Sequence, residues 1–187
     1  MSGFEQRAMR GASVQADGLR KLRGHAVVFD SMSEDLGGFR EIIAPDAVDR
    51  TLKEGLDVRA LVDHDSSKVI GRTRAGTLSL YKERRGLRVE IDPPNTTAGR
   101  DILESVARGD ITGMSFGFRV MPEGDTWRDD GEGNLLREVR DMTISEVSIV
   151  TFPAYQATNV DVAKRSLQAF VKSARYDPRA LRLRLIA

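Results

Sequence analysis

The sequence predicts an α+β protein, built mainly on an antiparallel β-barrel that is flanked by a few helices. Short segments with alternating or continuous apolar residues, which are typical of β-strands, follow one another closely along the chain. Turn residues separate these segments, as Gly37-Gly38 and the charged pair Arg84-Arg85 do. Few helical segments lie between the strands, which disfavours a doubly wound parallel sheet and favours a hairpin-rich sheet or barrel.

The first half of the chain starts this sheet. Pro45 can occupy the first turn of a short helix that ends at Gly55. The apolar strand after this helix ends at the cluster Asp63-His64-Asp65. The predicted elements are, in order, a strand over 22–30, a strand over 39–43, a helix over 45–53 and a strand over 58–62.

The second half of the chain contains the best-defined helix. Thr96 or Thr97 can cap its start, an apolar stripe runs along it to Arg108, and Gly109 lies just past its end. The other predicted elements are a hairpin of strands over 76–83 and 86–91, strands over 111–120, 135–139 and 142–152, and a polar surface loop over 123–134.

The domain organisation that follows is one domain with extensions at both ends. Residues 1–20 are predicted to be an N-terminal extension, and residues 21–162 to be the single folded domain. Residues 163–187 are predicted to be a basic C-terminal helix or tail, which contains seven Lys and Arg residues and a single acidic residue, Asp177.

The composition excludes several classes of protein. No stretch of about 18 apolar residues is available for a membrane span, and the N-terminus has no apolar signal core, so we expect a cytoplasmic protein. The absence of cysteine excludes disulfides, thiolate zinc sites, iron–sulfur clusters and a cysteine nucleophile. The formal charge of +1 gives no argument for nucleic-acid binding.

Ser115 is the candidate nucleophile. It lies in Gly113-Met114-Ser115-Phe116-Gly117, which matches the G-x-S-x-G pattern of a nucleophile elbow. In an α/β-hydrolase, a helix follows the motif and the catalytic histidine comes after the serine. Here the motif is followed by a predicted strand and no histidine lies after His64, so the sequence excludes an α/β-hydrolase. The alternative is a small residue in a strand whose glycines let another group approach closely.

His64 is the candidate general base. Histidine is the commonest general base because its ordinary pKa of about 6.5 suits proton exchange near neutrality. The chain offers only His25, inside an alternating strand, and His64, at the end of an apolar strand between two aspartates. A solvated turn is the plain alternative for this cluster, and a metal site is disfavoured because neighbouring strand residues point to opposite faces.

Glu146 is the candidate carboxylate that orients the histidine. It lies in a strongly β-forming segment, where alternation places it on one face with Ile144 and Val150. A carboxylate among apolar neighbours needs a partner, unless the strand lies at a sheet edge and Glu146 faces water. Asp141, Asp63 and Asp65 are lesser candidates.

Several segments together resemble the prohead, or head-maturation, serine proteases of tailed bacteriophages. The resemblance covers about residues 20–162 and is carried by segments in the order that the family has them. These are Gly-His-Ala-Val-Val-Phe-Asp (24–30), Glu-Ile-Ile-Ala-Pro-Asp-Ala-Val (41–48), Leu-Val-Asp-His-Asp with Ile-Gly-Arg following (61–72), Gly86-Leu87, Gly-Asp-Ile-Thr-Gly-Met-Ser-Phe-Gly-Phe (109–118) and Ser-Glu-Val-Ser-Ile-Val-Thr-Phe-Pro-Ala-Tyr (145–155).

The resemblance implies a fold similar to the herpesvirus assemblins and a protease that works inside the immature capsid in the host cytoplasm. Its substrates would be the scaffold, or a scaffolding segment of the major capsid protein, and finally the protease itself. His64 would be the base and Ser115 the nucleophile, with no metal or organic cofactor. Assemblins use a second histidine, which no later position supplies, so Glu146 is the predicted third residue.

A non-enzymatic capsid scaffold or structural module is the alternative from another class. In that case the same motifs would support packing alone, and the basic tail would bind an acidic partner. For both functions we expect no binding to nucleic acid or to a membrane, and both are compatible with a homo-oligomer.

Overall fold

The computed structural model describes residues 3–17, 20–130 and 134–152. Within these ranges the chain is mostly β-structure with two short α-helices, α1 (Asp49–Lys53) and α2 (Thr97–Arg108). The strands are β1 (Glu5–Ala16), β2 (Leu22–Val28), β3 (Phe39–Ile43), β4 (Arg59–Val62), β5 (Asp65–Arg72), β6 (Leu78–Lys82), β7 (Gly86–Ile91), β8 (Gly113–Val120), β9 (Asp125–Asp129), β10 (Leu135–Val139) and β11 (Met142–Val150).

Eight of these strands form one curved sheet in the order β5-β4-β11-β8-β1-β2-β7-β6. All neighbours in it are antiparallel except β4 and β11, which run parallel. The sheet nearly closes on itself, because Thr77, just before β6, exchanges hydrogen bonds with Arg72 at the end of β5. The predicted barrel, mainly antiparallel and flanked by a few helices, is therefore confirmed.

A smaller sheet has the order β3-β10-β9, in which β3 and β10 run parallel. The hydrophobic core receives side chains from most strands and from α2, whose Ile102 and Val106 are buried. Full burial of one such aliphatic or aromatic side chain contributes about 1.5–3 kcal/mol. No helix in the described part of the chain is long and apolar enough to cross a membrane.

The helix predicted after Thr96 is confirmed together with both of its ends. The Thr96 hydroxyl accepts a hydrogen bond from Gly99 N at 3.2 Å, and Gly109 ends the helix with a φ of +81°. The strands predicted over 39–43, 86–91 and 135–139 have the same bounds in the structure. The helix predicted over 45–53 is split into a 3₁₀ turn, Pro45–Val48, followed by α1.

Three strands were not predicted. Strand β9 lies inside the expected surface loop 123–134, so that expectation is wrong for residues 125–129. Strand β5 follows His64 directly and is polar in its first half. Strand β1 lies between β8 and β2 in the large sheet, so residues 5–16, assigned by the sequence to an N-terminal extension, belong to the fold. The basic C-terminal helix or tail predicted over 163–187 lies outside the described residues.

A buried cluster of charges joins the two sheets. Arg7 on β1 contacts Glu5 at 2.7 Å and Glu41 on β3 at 3.0 Å. Arg137 on β10 contacts the same two carboxylates at 2.8 Å each, and Asp125 on β9 at 2.7 Å. Both arginines, Glu5 and Glu41 are at most 5% exposed. Each charge is therefore removed from water and satisfied by partners on other strands.

The charge state of Arg137 follows from these partners. Burial by itself would lower the pKa of its guanidinium, because desolvation disfavours the charged form. The charges of Glu41, Glu5 and Asp125, together with the hydrogen bond to Glu5, outweigh burial and raise the pKa above its ordinary value. Arg137 is thus a permanent cation at the junction of the sheets.

We expect Arg137→Met to lower the free energy of unfolding by about 3–5 kcal/mol, because it leaves buried carboxylates without their cation while nearly preserving side-chain volume. Urea unfolding of the full chain measures the change. Arg10→Met is the matched control, since the Arg10–Glu34 pair is largely exposed, at 75% and 60%, and such pairs contribute at most about 1 kcal/mol. Equal effects of the two variants would contradict a stabilising role for the buried cluster.

Candidate active site

Glu146 lies near the centre of β11, and a β-bulge determines which face of the sheet it occupies. Ile144 pairs with Phe118 and packs in the core, whereas Glu146 pairs with Gly117. Ser145 is the extra residue between them, so Glu146 faces away from the side that Ile144 occupies. The expectation that Glu146 shares a face with Ile144 is therefore wrong, because simple alternation does not anticipate the bulge.

His64 is presented by the tight loop between β4 and β5. Val62 and Asp65 pair across this hairpin, which leaves Asp63 and His64 as its two central residues. Their φ angles are +49° and +59°, and a type I′ turn requires positive φ at both positions. A left-handed residue with a Cβ costs about 1–2 kcal/mol. Such strain at a histidine is characteristic of functional sites.

Hydrogen bonds from β11 and from Thr151, the residue after it, hold this loop in place. The Asp63 carboxylate accepts from Thr151 N at 2.8 Å and from the Thr151 hydroxyl at 3.1 Å. The backbone N of Asp63 donates to the carbonyl oxygen of Ile149 at 2.9 Å. Asp63 therefore anchors the histidine loop to the strand that carries Glu146, and this is a structural role.

His64 and Glu146 contact each other directly. The imidazole Nδ1 lies 2.7 Å from Glu146 Oε1, and the two side chains are 6% and 8% exposed. Because a carboxylate oxygen accepts, Nδ1 is the donor in this contact, and in the neutral form of the ring Nε2 would then be an acceptor. Nε2 is buried, and no described residue hydrogen-bonds to it. The contact with Glu146 thus fixes the orientation of the ring and of Nε2.

Ser115 lies on the neighbouring strand β8, directly opposite Ser148 of β11. Residues Glu146 and Ser148 share a face, because strand residues two apart point the same way. Their partners on β8, Gly117 and Ser115, lie along that face too. Ser115 is 2% exposed, and its hydroxyl donates to the backbone carbonyl of Arg7 at 2.8 Å instead of to His64.

The glycines around Ser115 make room for other groups and do not form an elbow. Ser115 lies inside the continuous strand β8, which confirms that the G-x-S-x-G match is not a strand-to-helix turn. A methyl group on Gly117 would lie 2.4 Å from Glu146 Oε1 and 2.3 Å from the ring of Phe4. Gly117 therefore lets the carboxylate and the Phe4 ring approach the sheet closely.

Ser148 is a residue of this site that the sequence reading did not select. It is fully buried, and its hydroxyl donates to Glu146 Oε2 at 2.6 Å. Glu146 thus has one partner on each oxygen, His64 on one and Ser148 on the other. The available signal was the spacing of Glu146 and Ser148, since residues two apart share a face wherever no bulge interrupts the strand.

The other candidate residues are occupied elsewhere. His25 lies 3.3 Å from Glu83, and the carboxylate of Asp141 makes contacts of 2.6 and 2.9 Å with Arg50. The hydrogen bond from Arg50 lowers the pKa of Asp141. Hydrogen bonds from Ser67 and Lys68 lower the pKa of Asp65. Among the described residues, no group of three or more His, Asp or Glu is arranged to hold a metal ion.

This arrangement has the parts of an acyl-transfer site. It contains a strand serine, a histidine whose Nε2 has no partner among the residues that the structure describes, and a buried carboxylate that contacts the other ring nitrogen. A histidine held in this way can take a proton from a hydroxyl and return it to a leaving group, whatever the order of the residues in the chain. The structure brings Glu146 and His64 into contact, and it places Ser115 on β8, the strand paired with β11, which carries Glu146.

Comparison with known proteins identifies the family. Among curated proteins no match to the chain was found. Among solved structures, the chain is similar to the capsid assembly protease gp21 of bacteriophage T4, with a TM-score of 0.49, 10% identity, and coverage of 79% of this chain and 96% of that one. The family described as Caudovirus prohead serine protease matches residues 7–173. The chain therefore belongs to the prohead serine protease family of tailed bacteriophages.

Proposed function

We propose that this protein is a serine endopeptidase with Ser115 as nucleophile, His64 as general base and Glu146 as the carboxylate that orients His64. The observation that carries the proposal is the buried 2.7 Å contact between His64 Nδ1 and Glu146 Oε1. This contact leaves Nε2 without a partner among the described residues, and Glu146 lies on β11, the strand paired with the one that carries Ser115. Family membership supports the same reaction class.

The reaction begins with a change in the hydrogen bond of Ser115. Its hydroxyl, which donates to the carbonyl of Arg7 in the structure, must leave that acceptor and donate to His64 Nε2. The oxygen then attacks the peptide carbonyl while Nε2 takes the proton, and the carboxylate of Glu146 stabilises the imidazolium. Because Ser115 is 2% exposed, the groups that cover it must also move to admit the peptide.

The remaining steps return the enzyme to its starting state. The imidazolium gives its proton to the leaving amine nitrogen as the C–N bond breaks, which leaves an ester on Ser115. Water, deprotonated by the same imidazole, attacks the ester, and the Ser115 oxygen recovers a proton as the acid product leaves. Neither a metal ion nor an organic cofactor is required by these steps.

We further propose the capsid scaffold, or the scaffolding segment of the major capsid protein, as the substrate, and the protease itself as a second substrate. This places the reaction inside the immature capsid in the host cytoplasm. The support is membership of a family described by prohead proteolysis. A homo-oligomer stays a prediction.

Ser115→Ala is expected to abolish proteolysis, with a loss of about 10⁴-fold or more, because the proposed acyl-enzyme forms on the Ser115 oxygen. The full chain is expressed with the capsid and scaffold proteins of its own genome, and the products are mapped by mass spectrometry. Unchanged processing by the alanine variant would contradict the protease proposal and favour the scaffolding alternative.

His64→Ala is expected to lower kcat/KM as much as Ser115→Ala does, because residues that act as one unit fail together. The kinetics are measured on purified capsid precursor protein, with circular dichroism to establish folding. His25→Ala is the matched control and should keep activity within a few-fold, since His25 pairs with Glu83. Full activity of the His64 variant would remove His64 from the mechanism.

Glu146→Gln is expected to lower kcat by about 10⁴-fold, because an amide of the same shape cannot stabilise the imidazolium and leaves the imidazole in the wrong tautomer. Asp141→Asn is the control with the same chemical change on a carboxylate that pairs with Arg50. The proposal predicts a large effect at position 146 and at most a few-fold effect at 141. The reverse order would assign the orienting role to Asp141.

A further inference from the structure

We propose that Ser148 is a positioning residue, whose hydroxyl holds the Glu146 carboxylate in the rotation that presents Oε1 to His64. This inference rests on the proposed function and adds a fourth side chain to it. It concerns a second serine on the same face of the sheet as the nucleophile, with a different task.

The contacts of Glu146 divide its two oxygens between two donors. Oε1 accepts from His64 Nδ1 at 2.7 Å, and Oε2 accepts from the Ser148 hydroxyl at 2.6 Å. Both are short, as expected for hydrogen bonds to an ionised acceptor. Each donor therefore fixes one end of the carboxylate, and the two together determine the plane in which it lies.

Burial makes the Ser148 hydroxyl difficult to replace. Glu146 is buried and Ser148 is fully buried, so bulk water does not reach the contact between them. Without the hydroxyl, Oε2 would be a buried charged acceptor with no donor, which is strongly disfavoured. The carboxylate would then rotate or shift to find another donor, and its contact with His64 would change with it.

The hydrogen bonds of the two serines distinguish their roles. Ser115 and Ser148 lie opposite each other in the β8–β11 pair. Ser148 donates its only proton to a charged carboxylate, whereas Ser115 donates to the neutral carbonyl of Arg7. A hydrogen bond to a neutral acceptor is roughly half as strong, so Ser115 is the serine whose hydroxyl can be released to the base.

Ser148→Ala is therefore expected to lower kcat about 10–100-fold and to leave KM within about 2-fold, the usual cost of removing a group that orients a reacting side chain. Ser148→Thr, which restores a hydroxyl, should recover activity to within a few-fold of the wild type. Ser145→Ala, on the exposed bulge of the same strand, is the matched control and should leave both constants unchanged. Wild-type kcat in Ser148→Ala would overturn the inference.

Two further measurements separate positioning from other roles. In proton NMR, the His64 Nδ1–H signal should lie downfield in the wild type and move upfield or broaden in Ser148→Ala. An unchanged signal would overturn the inference, even if the threonine variant does not fold. A fluorophosphonate probe should label Ser115 in the wild type and, more slowly, in Ser148→Ala, whereas labelling of Ser148 would make that residue the nucleophile and overturn a positioning role.

The same set of variants distinguishes failure of this inference from failure of the proposed function. If Ser115→Ala is inactive and Ser148→Ala has wild-type kinetics, the protease proposal stands and the role of Ser148 is wrong. If Ser115→Ala cleaves the capsid precursor at the wild-type rate, the proposed function fails, and the role of Ser148 fails with it.

Discussion

The carboxylate of Glu146 is an ion buried in a β-sheet, and the structure of the site follows from the need to satisfy it. Burial of an unpaired carboxylate is prohibitively unfavourable, so both of its oxygens must find donors within the protein. The bulge at Ser145 turns the side chain away from the core, and Gly117 leaves the space that it occupies. The Asp63–His64 hairpin then brings the first donor to it, and Ser148 supplies the second. The strained histidine loop, the bulge at Ser145 and the space at Gly117 are therefore all explained by the burial of the Glu146 carboxylate.

A second set of buried charges lies close to this site along β1. The side chain of Arg7 belongs to the cluster that joins the two sheets, and its backbone carbonyl accepts the hydroxyl of Ser115. The ion pairs of Arg7 with Glu5 and Glu41 fix this residue, so the carbonyl that accepts from Ser115, the proposed nucleophile, is held in place as well. The smaller sheet therefore contributes to the position of Ser115 without providing a side chain to the reaction.

Sequence patterns predicted those parts of the molecule whose burial follows a regular period. Strands such as Gly86–Ile91 alternate between apolar and polar residues, and α2 has a cap, a stripe and a terminal glycine. Strand β1 escaped prediction because Glu5 and Arg7 are charged residues that point inward, which a hydrophobic pattern counts as exposed. Strands β5 and β9 escaped because they are polar and lie at sheet edges.

The site was predictable in its residue types and not in its geometry. His64 was a candidate because it ends an apolar strand, and Glu146 because a carboxylate among apolar residues needs a partner. The structure shows that the two side chains contact each other. The bulge has no signal of its own, since Ser145 is an ordinary strand residue by type. The contact between the Ser115 hydroxyl and the Arg7 carbonyl depends on a strand pairing across more than a hundred residues, which local patterns do not reveal.

The parallel pairing of β4 with β11 has a consequence for the timing of activity. His64 is synthesised well before β11, but the strand that anchors its loop and supplies its carboxylate is the last one of the described chain. A nascent chain that has only reached β8 holds Ser115 and His64 without Glu146, Ser148 or the bonds to Asp63. The groups of the proposed site therefore come together only after β11 has been synthesised and has paired with β4.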